Sequence, residues 1–246
     1  MNGEVGGLVT VLITNYNYGR FIEEAVRSVV AQTYGPLELI VVDDGSTDNS
    51  IKVIQDLRKK HQDRFVNFDP FYLDLNVGIN RALNKGIPLI KGDIAVILDA
   101  DDMLSPDYIT RTRRVLLEGE NNGVGFVYSD SVLINANGEV IGRGISHEFD
   151  VELLMSKSYI PGCATTLTKA LEAALPLDEN IRVNTKVFRW REIVRQGFKG
   201  IYIPEQLFYY RMHMDNISGI GPRVIHAVSN GETHHLLEGY WGTARK

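Results

Sequence analysis

A run of apolar residues that ends in three carboxylates constrains this chain more than any other feature. Residues 94–98 are all apolar and lead directly into Asp99, Asp101 and Asp102. An apolar run without alternation predicts a strand buried on both faces, which here ends at a polar rim. Carboxylates this close repel one another unless a cation lies among them, and open α/β sheets bind ligands at the carboxyl ends of their strands. The stretch therefore predicts a site for a divalent ion, Mg²⁺ or Mn²⁺.

A local structural role for the acidic residues is the alternative interpretation. Ser105 and Pro106 are typical of the start of a helix, which Asp102 or Ser105 would then cap. For Asp99 and Asp101 we favour a role in binding metal and diphosphate over capping.

Strands and helices alternate along the first half of the chain. β-Branched apolar runs predict the strands, and apolar positions at helical spacing predict the helices between them. The expected strands are residues 9–14, 37–42, 65–68, 94–98 and 125–128, and the expected helices are residues 21–32, 49–60, 78–87 and 106–118. This alternation predicts an α/β fold with a doubly wound, mostly parallel, Rossmann-like sheet.

Polar loops follow the first two predicted strands. Residues 15–19 are polar and aromatic, and residues 43–48 are acidic and hydroxylated. Because the carboxyl ends of parallel strands lie at one edge of a sheet, both loops are expected beside the carboxylates of residues 99–102. Residues 46–48 also supply polar side chains that cap the next helix.

The second half of the chain changes character. An Asn-Gly turn at residues 137–138, flanked by apolar residues at 131–134 and 139–141, predicts an antiparallel hairpin. Further helices are expected at residues 151–156, 169–175 and 187–196, and further strands at residues 164–168, 200–203 and 207–211, the last two as edge strands. The tail from Pro222 is expected to be partly helical at most. Since no linker separates the halves, we expect one globular unit whose sheet carries an antiparallel addition.

Composition narrows the classes of partner. The 246 residues carry a formal net charge of −5 and a pI near 5.7, so no overall basic field exists to bind nucleic acid. The single cysteine, Cys163, cannot form an internal disulfide and fits a reducing compartment. Residues 1–7 do not resemble a signal peptide, and no apolar run approaches the ~20 residues of a membrane span. We therefore expect no nucleic-acid partner, no transmembrane segment and a cytoplasmic location.

Five stretches of the chain carry a further signal when they are taken together. They are residues 11–17, 28–34, 41–48, 84–87 and 98–102, which read VLITNYN, SVVAQTY, VVDDGSTD, NKGI and LDADD. In this order and spacing they resemble the inverting family 2 glycosyltransferases of GT-A fold. The resemblance covers roughly the first half of the chain. It implies metal-assisted transfer of a sugar, with inversion, from a nucleotide diphosphate donor to a hydroxyl acceptor. A UDP-sugar is the favoured donor.

The resemblance also implies donor-binding roles for residues that follow the strands. Thr14, Tyr16 and Asp44 would hold the nucleobase, since an aromatic ring stacks on a base and a carboxylate accepts a base N–H. Tyr16 is alternatively a partly buried loop aromatic, and Asp43 would either bind the donor or hold a turn. Asn84 would contact the donor from the fourth stretch.

The same resemblance implies the metal ligands. Asp99 and Asp101 correspond to the family's D-x-D motif, with Asp101 in direct contact with the metal and Asp99 bound to ribose or metal. Residues 210–218 are similar to the family's Tyr-Arg-x-His…Ser ending. His213 would then bind the metal or the diphosphate, and Arg211 would be a diphosphate or structural partner.

By resemblance, residues 1–130 form the nucleotide-sugar-binding half and residues 131–246 the acceptor-side half of the unit. Inverting transfer needs a general base that accepts the proton of the acceptor hydroxyl. The family usually supplies it from a Glu-Asp pair before a helix ending in Gly, but here those positions are Thr185 and Lys186. A lysine acts as a base only if its pKa falls by several units.

Three interpretations of the missing base remain open. A neighbouring carboxylate takes the role, with Glu179 first and Asp178 or Glu192 next; or the chain is a catalytically weak or silent nucleotide-sugar binding relative; or the alignment is shifted by a few residues. A nucleotidyltransferase ranks last, because the loop at residues 15–19 lacks the Gly-rich sequence of that class.

Overall fold

A mixed β-sheet lies at the centre of the computed structural model, which describes residues 7–182, 184–213 and 216. Within these residues the strands are β1 (Val9–Asn15), β2 (Leu37–Asp43), β3 (Asn67–Tyr72), β4 (Ile94–Asp99), β5 (Met103–Leu104), β6 (Val124–Ile134), β7 (Val140–Gly144), β8 (Thr165–Leu167) and β9 (Lys199–Arg211). The helices are α1 (Ile22–Val30), α2 (Ser50–His61), α3 (Ile79–Gly86), α4 (Tyr108–Gly119), α5 (Val151–Ser156), α6 (Thr168–Ala173) and α7 (Thr185–Arg195). The tail from Pro222 lies outside the described residues.

The parallel half of the sheet has the predicted doubly wound form. The strand order is β3-β2-β1-β4-β8-β6-β9-β5, and β1 pairs in parallel with both β2 and β4. Every residue of β1 and β2 is buried, which explains why their sequences do not alternate. From β1 the chain builds the sheet first towards β3 and then towards β4, so a crevice is expected between the carboxyl ends of β1 and β4.

The second half adds antiparallel strands, as predicted. β8 lies between β4 and β6 and is antiparallel to both. β7 forms the predicted hairpin with β6 across the Asn-Gly turn. These strands extend the same sheet, so the two halves share one core.

Two pairs of predicted short strands are single long strands. β6 covers both 125–128 and 131–134, while β9 covers both 200–203 and 207–211 and is followed in the strand order by β5. The edge-strand prediction was wrong for residues 208–209, which pair with β5 as well as β6, whereas residues 200–203 pair with β6 alone. The two predicted strands are one strand because Pro204 does not end β9. The pairing between β6 and β9 shifts at this point, which leaves Pro204 and Glu205 without opposite residues. Such a bulge accommodates a proline without ending the strand.

Two other predictions from the sequence, the bounds of the third strand and the cap of α4, differ from the structure. The third strand was expected at residues 65–68 but lies at Asn67–Tyr72, where Pro70 is tolerated because β3 is at the sheet edge. The expected cap of α4 by Asp102 or Ser105 was wrong, since Asp107 precedes this helix and Asp102 accepts a hydrogen bond from elsewhere. No helix in the described part of the chain has the length and apolar character needed to span a bilayer.

Candidate active site

The carboxyl ends of β1 and β4 lie side by side at the crevice. Thr14 and Asp99 are register partners, and the Thr14 hydroxyl donates to Asp99 Oδ1 at 3.2 Å. The backbone N–H of Ala100 donates to the carbonyl of Thr14 at 3.0 Å. These bonds fix the acidic segment against the first strand, so the polar ends of both strands meet at the edge where the sequence predicts them.

Three carboxylates gather at the end of β4, and Asp99, Asp101 and Asp102 are called the acidic triad below. One carboxylate oxygen from each lies within 4.8 Å of the others. Burial, followed by the charge of Asp101, raises the pKa of Asp102 well above its usual range. Oxygen donors at this spacing suit a hard divalent cation, which would also relieve their mutual repulsion.

His213 and Asn216 complete the surroundings of Asp101. His213 Nε2 lies 3.1 Å from Asp101 Oδ2, and the amide nitrogen of Asn216 donates to the same oxygen at 3.3 Å. The ring of His213 is buried beside Tyr18 and Phe21, with ring centroids 5.4 Å and 4.8 Å away. Carboxylate oxygens suit Mg²⁺ or Mn²⁺, and an imidazole nitrogen is a common ligand of divalent transition metals, so these residues fit a divalent metal.

Lys186 reaches the acidic triad from the first turn of α7. Its ammonium forms an ion pair with Asp99 Oδ2, and only about a quarter of each side chain is exposed, 26% for Lys186 and 24% for Asp99. Burial opposes the ammonium charge, but Asp99, Tyr210 and Asp102 raise the pKa of Lys186 above its usual range. Burial also opposes the charge of Asp99, but Lys186 lowers the pKa of that carboxyl. Lys186 is therefore a cation and not a base in this arrangement.

Arg211 is wholly buried and its hydrogen bonds are internal. Its Nε donates to the carbonyl of Asp101 at 2.9 Å, and Nη1 donates to the carbonyls of Asn135 and Ala136 at 3.2 Å. Nη2 pairs with Glu24 Oε2 on α1 at 2.6 Å. Of the two roles considered for Arg211, this geometry is that of a structural partner.

The two neighbouring aspartates after β2 hold turns. The carboxylate of Asp43 accepts from the Ser46 backbone N–H at 2.9 Å and from the Asn15 amide at 2.6 Å. Asp44 accepts from the backbone N–H groups of Val77 and Gly78 at 2.8 and 2.9 Å. Burial raises the pKa of Asp44 despite these two bonds. Both aspartates thus shape the loops beside the crevice, which agrees with the turn alternative for Asp43.

Asn84 and Glu179 lie together on another part of the loop region. The Asn84 side chain donates to the carbonyl of Leu177 at 2.9 Å and accepts from its N–H at 2.8 Å. Glu179 forms an ion pair with Arg81 at 2.5 Å, and hydrogen bonds from Arg81 and Asn84 lower its pKa. The structure therefore brings Lys186, and not Glu179, to the side chain of Asp99.

Tyr16 lies on the rim of the crevice and is 38% exposed. The following residue, Asn17, has a positive φ of 54°, and its side-chain oxygen accepts from the Thr47 N–H at 2.8 Å. The Asn17 N–H in turn donates to the Ser46 hydroxyl at 2.9 Å. These bonds join the first polar loop to the second, beside the partly exposed Tyr16.

The family whose model matches this chain is described as "Glycosyl transferase family 2", and the match covers residues 10–173, more than half of the sequence. The chain belongs to glycosyl transferase family 2. The family inferred from five sequence stretches is therefore confirmed.

Curated relatives of this glycosyltransferase come from several bacteria. The putative teichuronic acid biosynthesis glycosyltransferase TuaG of Bacillus subtilis is 28% identical over 215 residues, which cover 86% of this chain and 81% of TuaG. An uncharacterized glycosyltransferase of Nostoc sp. is 38% identical over 116 residues, covering 47% of this chain and 35% of the Nostoc protein. The chain thus spans about four fifths of one relative's length and about a third of the other's.

Solved structures share the fold of this family 2 chain. S. aureus TarS 1–349 in complex with UDP has a TM-score of 0.64 and 15% identity, covering 84% of this chain and 61% of that one. The mannosyltransferase PcManGT from Pyrobaculum calidifontis, in complex with GDP-Man and Mn²⁺, has a TM-score of 0.65 and 20% identity, covering 87% and 61%. At these identities the likeness shows the fold alone, and it confirms the predicted GT-A fold.

Sequence reasoning missed two contributors to this glycosyltransferase site. Asn216 carried no signal beyond its position three residues after His213. The ion pair of Lys186 with Asp99 joins residues of distant elements, although the sequence marked Lys186 as a departure from the family pattern. Ser218, at the end of the family-like stretch, lies outside the described residues.

Proposed function

We propose that this glycosyltransferase moves a sugar from a nucleotide diphosphate, with a UDP-sugar as the donor, to a hydroxyl acceptor with inversion at the anomeric carbon. One observation carries the proposal: the acidic triad lies beside Thr14 and His213 at the crevice between β1 and β4. Diphosphate ligands of open α/β sheets bind at this kind of position. The UDP complex of TarS, which shares the fold, supports the choice of nucleotide.

In this proposal Asp101 and His213 hold a Mg²⁺ or Mn²⁺ ion, with Asp99 as a further candidate ligand. The ion supplies positive charge that stabilises the departing nucleoside diphosphate. The Mn²⁺ ion of the Pyrobaculum mannosyltransferase supports a metal in a protein of the same fold.

The nucleoside would lie on the loops that follow β1 and β2. Tyr16 is exposed enough to stack on a base, and Thr14 lies at the strand end beside Asp99. An ionised carboxylate has about four acceptor positions, so Asp44 has room for one base N–H beside the three bonds it accepts from Val77, Gly78 and Asn76. Asp43 would act by holding this loop in place.

The remaining assigned residues would act through loop position. Asn84 holds the segment at Leu177, and Arg211 holds the end of β9 against Asp101. Residues 1–130 would thus bind the nucleotide sugar, while residues 131–246 face the acceptor. A hydroxyl of a growing polysaccharide or glycoconjugate is the proposed acceptor, which agrees with the teichuronic acid role in the name of TuaG.

A second candidate function is a catalytically silent nucleotide-sugar binding protein. The observation that favours it is the ion pair of Lys186 with Asp99 at the position where the family usually has a carboxylate base. Glu179 is the proposed base of an active enzyme, but it would have to leave its ion pair with Arg81. Proton transfer from the acceptor hydroxyl to Glu179 would then accompany attack on the anomeric carbon.

Thermal unfolding with a panel of nucleotides tests the donor. UDP, GDP, CMP and pyrophosphate are each added with Mn²⁺ or with EDTA, and a ligand at 100 times its Kd adds about 2.7 kcal/mol of stability. UDP with Mn²⁺ is expected to raise the melting temperature most. No shift with any nucleotide would contradict both candidate functions, and product formation from the donor with a panel of acceptors then separates the enzyme from the binding protein.

A further inference from the structure

We propose that Lys186 is a resident cation of the donor site. Its ammonium pairs with Asp99, so that Asp101 and His213 are left to bind the metal. The same ammonium binds the diphosphate of the donor. This inference rests on the proposed function, because it assigns a residue to the nucleotide diphosphate. It differs from a base role, since here Lys186 donates hydrogen bonds and keeps its proton.

The path of the Lys186 side chain is built into the fold. The chain passes over the backbone of Gly162, where an added Cβ would lie 2.5–2.7 Å from Cδ, Cε and Nζ of the lysine. The neighbouring carbonyls are held to α7, because Arg189 donates to Gly162 O at 2.8 Å and Trp190 donates to Pro161 O at 2.9 Å. The loop and the helix together therefore direct the ammonium to Asp99.

Helix electrostatics show that this position needs a special reason. Lys186 lies in the first turn of α7, which contains no acidic residue, and a cation at a helix N-terminus is unfavourable. The ammonium is also largely buried, which adds a desolvation cost. Asp99 offsets these costs, but a neutral pair of side chains would avoid them. A positive charge held here is explained by an anionic ligand.

The ammonium has the capacity to bind that ligand. An ammonium has three N–H donors, and in the described part of the chain Lys186 has one ion pair, with Asp99, which leaves capacity for phosphate oxygens. Its nitrogen lies 5.6 Å from the ring centroid of Tyr210, which also supports the cation. About a quarter of the side chain is exposed, and its ammonium lies beside Asp99 of the acidic triad, where the diphosphate is proposed to bind.

Occupation of Asp99 also changes the metal site. An ion shared between two carboxylates has its charge largely cancelled, whereas an ion bound by Asp101 and the neutral donor of His213 keeps more charge for phosphate. Asp101 is the carboxylate that already faces His213 and Asn216. The pairing of Lys186 with Asp99 therefore favours strong attraction of a diphosphate over tight binding of the metal alone.

Titration calorimetry of Lys186→Met and Lys186→Arg with two probes tests the proposal. The first probe is inorganic pyrophosphate in EDTA, for which Lys186→Met is expected to lose about ten-fold or more in affinity while Lys186→Arg stays close to the parent. The second probe is Mn²⁺ alone, which Lys186→Met is expected to bind about ten-fold more tightly because Asp99 is released. Both shifts are required, and Lys52→Met on α2, a lysine paired with Asp56 at the surface, should show neither.

The outcomes separate this inference from the proposed function. Unchanged affinities in Lys186→Met, or a parent that binds no pyrophosphate in EDTA, would overturn the role of Lys186. A parent that binds pyrophosphate through Lys186 but shows no preference for UDP over pyrophosphate would support the resident cation and contradict the nucleotide donor. If Lys186→Met folds poorly, the double variant Asp99→Asn/Lys186→Met is used for the pyrophosphate titration, because it leaves no unpaired carboxylate. Gly162→Ala is then used for the Mn²⁺ titration, because its added methyl group displaces the lysine from Asp99.

Discussion

Asp101 and Asp99 are close neighbours with different partners. Asp101 faces the imidazole of His213 and the amide of Asn216, whereas Asp99 is bound by the Lys186 ammonium and the Thr14 hydroxyl. A metal ion that approaches the acidic triad must displace the Lys186 ammonium from Asp99, whereas at Asp101 it meets an imidazole that can bind it as a further ligand. At the scale of single residues, Asp101 is therefore the stronger candidate for metal contact.

Asp101→Asn tests this assignment. We expect the variant to fold with little change in stability, because the amide can still accept from Asn216, while Mn²⁺-dependent binding of UDP falls by about ten-fold or more through loss of one charged ligand. Calorimetric titration of UDP with Mn²⁺ and with EDTA measures the effect. The matched variant Asp107→Asn, at the start of α4, should bind like the parent. Equal affinities in the two variants would refute the metal contact.

The catalytic base is tested by Lys186→Asp and Glu179→Gln. If the chain lacks a base, a carboxylate at position 186 should raise sugar transfer, since a general base contributes about 10²- to 10⁴-fold. If Glu179 is the base, Glu179→Gln should remove activity and Lys186→Asp should lower it by adding negative charge beside Asp99. Product formation with one donor and several acceptors decides. Activity that survives both substitutions would reject both accounts.

Arg211 joins several elements of the second half to the first. It lies at the end of β9, yet it reaches α1 through Glu24, the turn after β6 through Asn135 and Ala136, and the acidic segment through Asp101. Its buried guanidinium thereby joins the buried Asp101 to a turn in which Asn135 is half-buried and Ala136 is exposed. At the scale of elements, this one side chain holds the hairpin and α1 around Asp101.

Arg211→Met should therefore destabilise the fold. The carbonyls of Asp101, Asn135 and Ala136 lose their donor, and we expect a fall of about 3 kcal/mol in the free energy of unfolding. Glu24 is half exposed and can return to water, so its lost ion pair adds little. Urea denaturation measures the change, and Arg195→Met, at an exposed ion pair on α7, should cost less than about 1 kcal/mol. Similar losses of unfolding free energy in both variants would contradict this structural role of Arg211.

The elements were predictable wherever a local pattern determines them. Runs of apolar residues without alternation predicted the parallel strands, and the Asn-Gly turn predicted the hairpin of β6 and β7. The long strand β9 was not predictable, because a bulge at Pro204 depends on the partner strand and not on the local sequence. The contacts of Arg211 and Lys186 were hidden for the same reason: each joins residues that only the completed sheet brings together.

The whole molecule concentrates ionisable groups at one edge of its sheet. The acidic triad, Lys186 and His213 are largely buried there, at the carboxyl ends of strands that are otherwise apolar. Buried charges of this kind lower the stability of the fold unless they are paired, so the fold is destabilised at the place where a charged ligand is proposed to bind. This destabilisation should make the free energy of unfolding depend on pH.

Asp102 gives that dependence a definite sign. Its folded pKa is raised above the unfolded value of about 3.9, so its contribution to stability is fully present below pH ~4 and is lost as the pH rises through the folded pKa. Asp102→Asn cannot ionise and can still accept from the Arg211 N–H. We expect its stability relative to the parent to grow from pH 5 to pH 8, by more than about 1 kcal/mol for each unit of pKa shift titrated.

Urea denaturation in EDTA at both pH values measures this difference without a metal on the triad. Asp56→Asn is the matched control, since Asp56 is exposed on α2 and pairs with Lys52 at the surface. Its stability relative to the parent should stay constant or fall slightly over the same range, because the pKa of Asp56 is lowered by Lys52 and its ionised form is favoured in the fold. A constant difference between Asp102→Asn and the parent would show that Asp102 contributes no such destabilisation. A growing one would mean that the fold gives up stability at neutral pH for an acidic crevice.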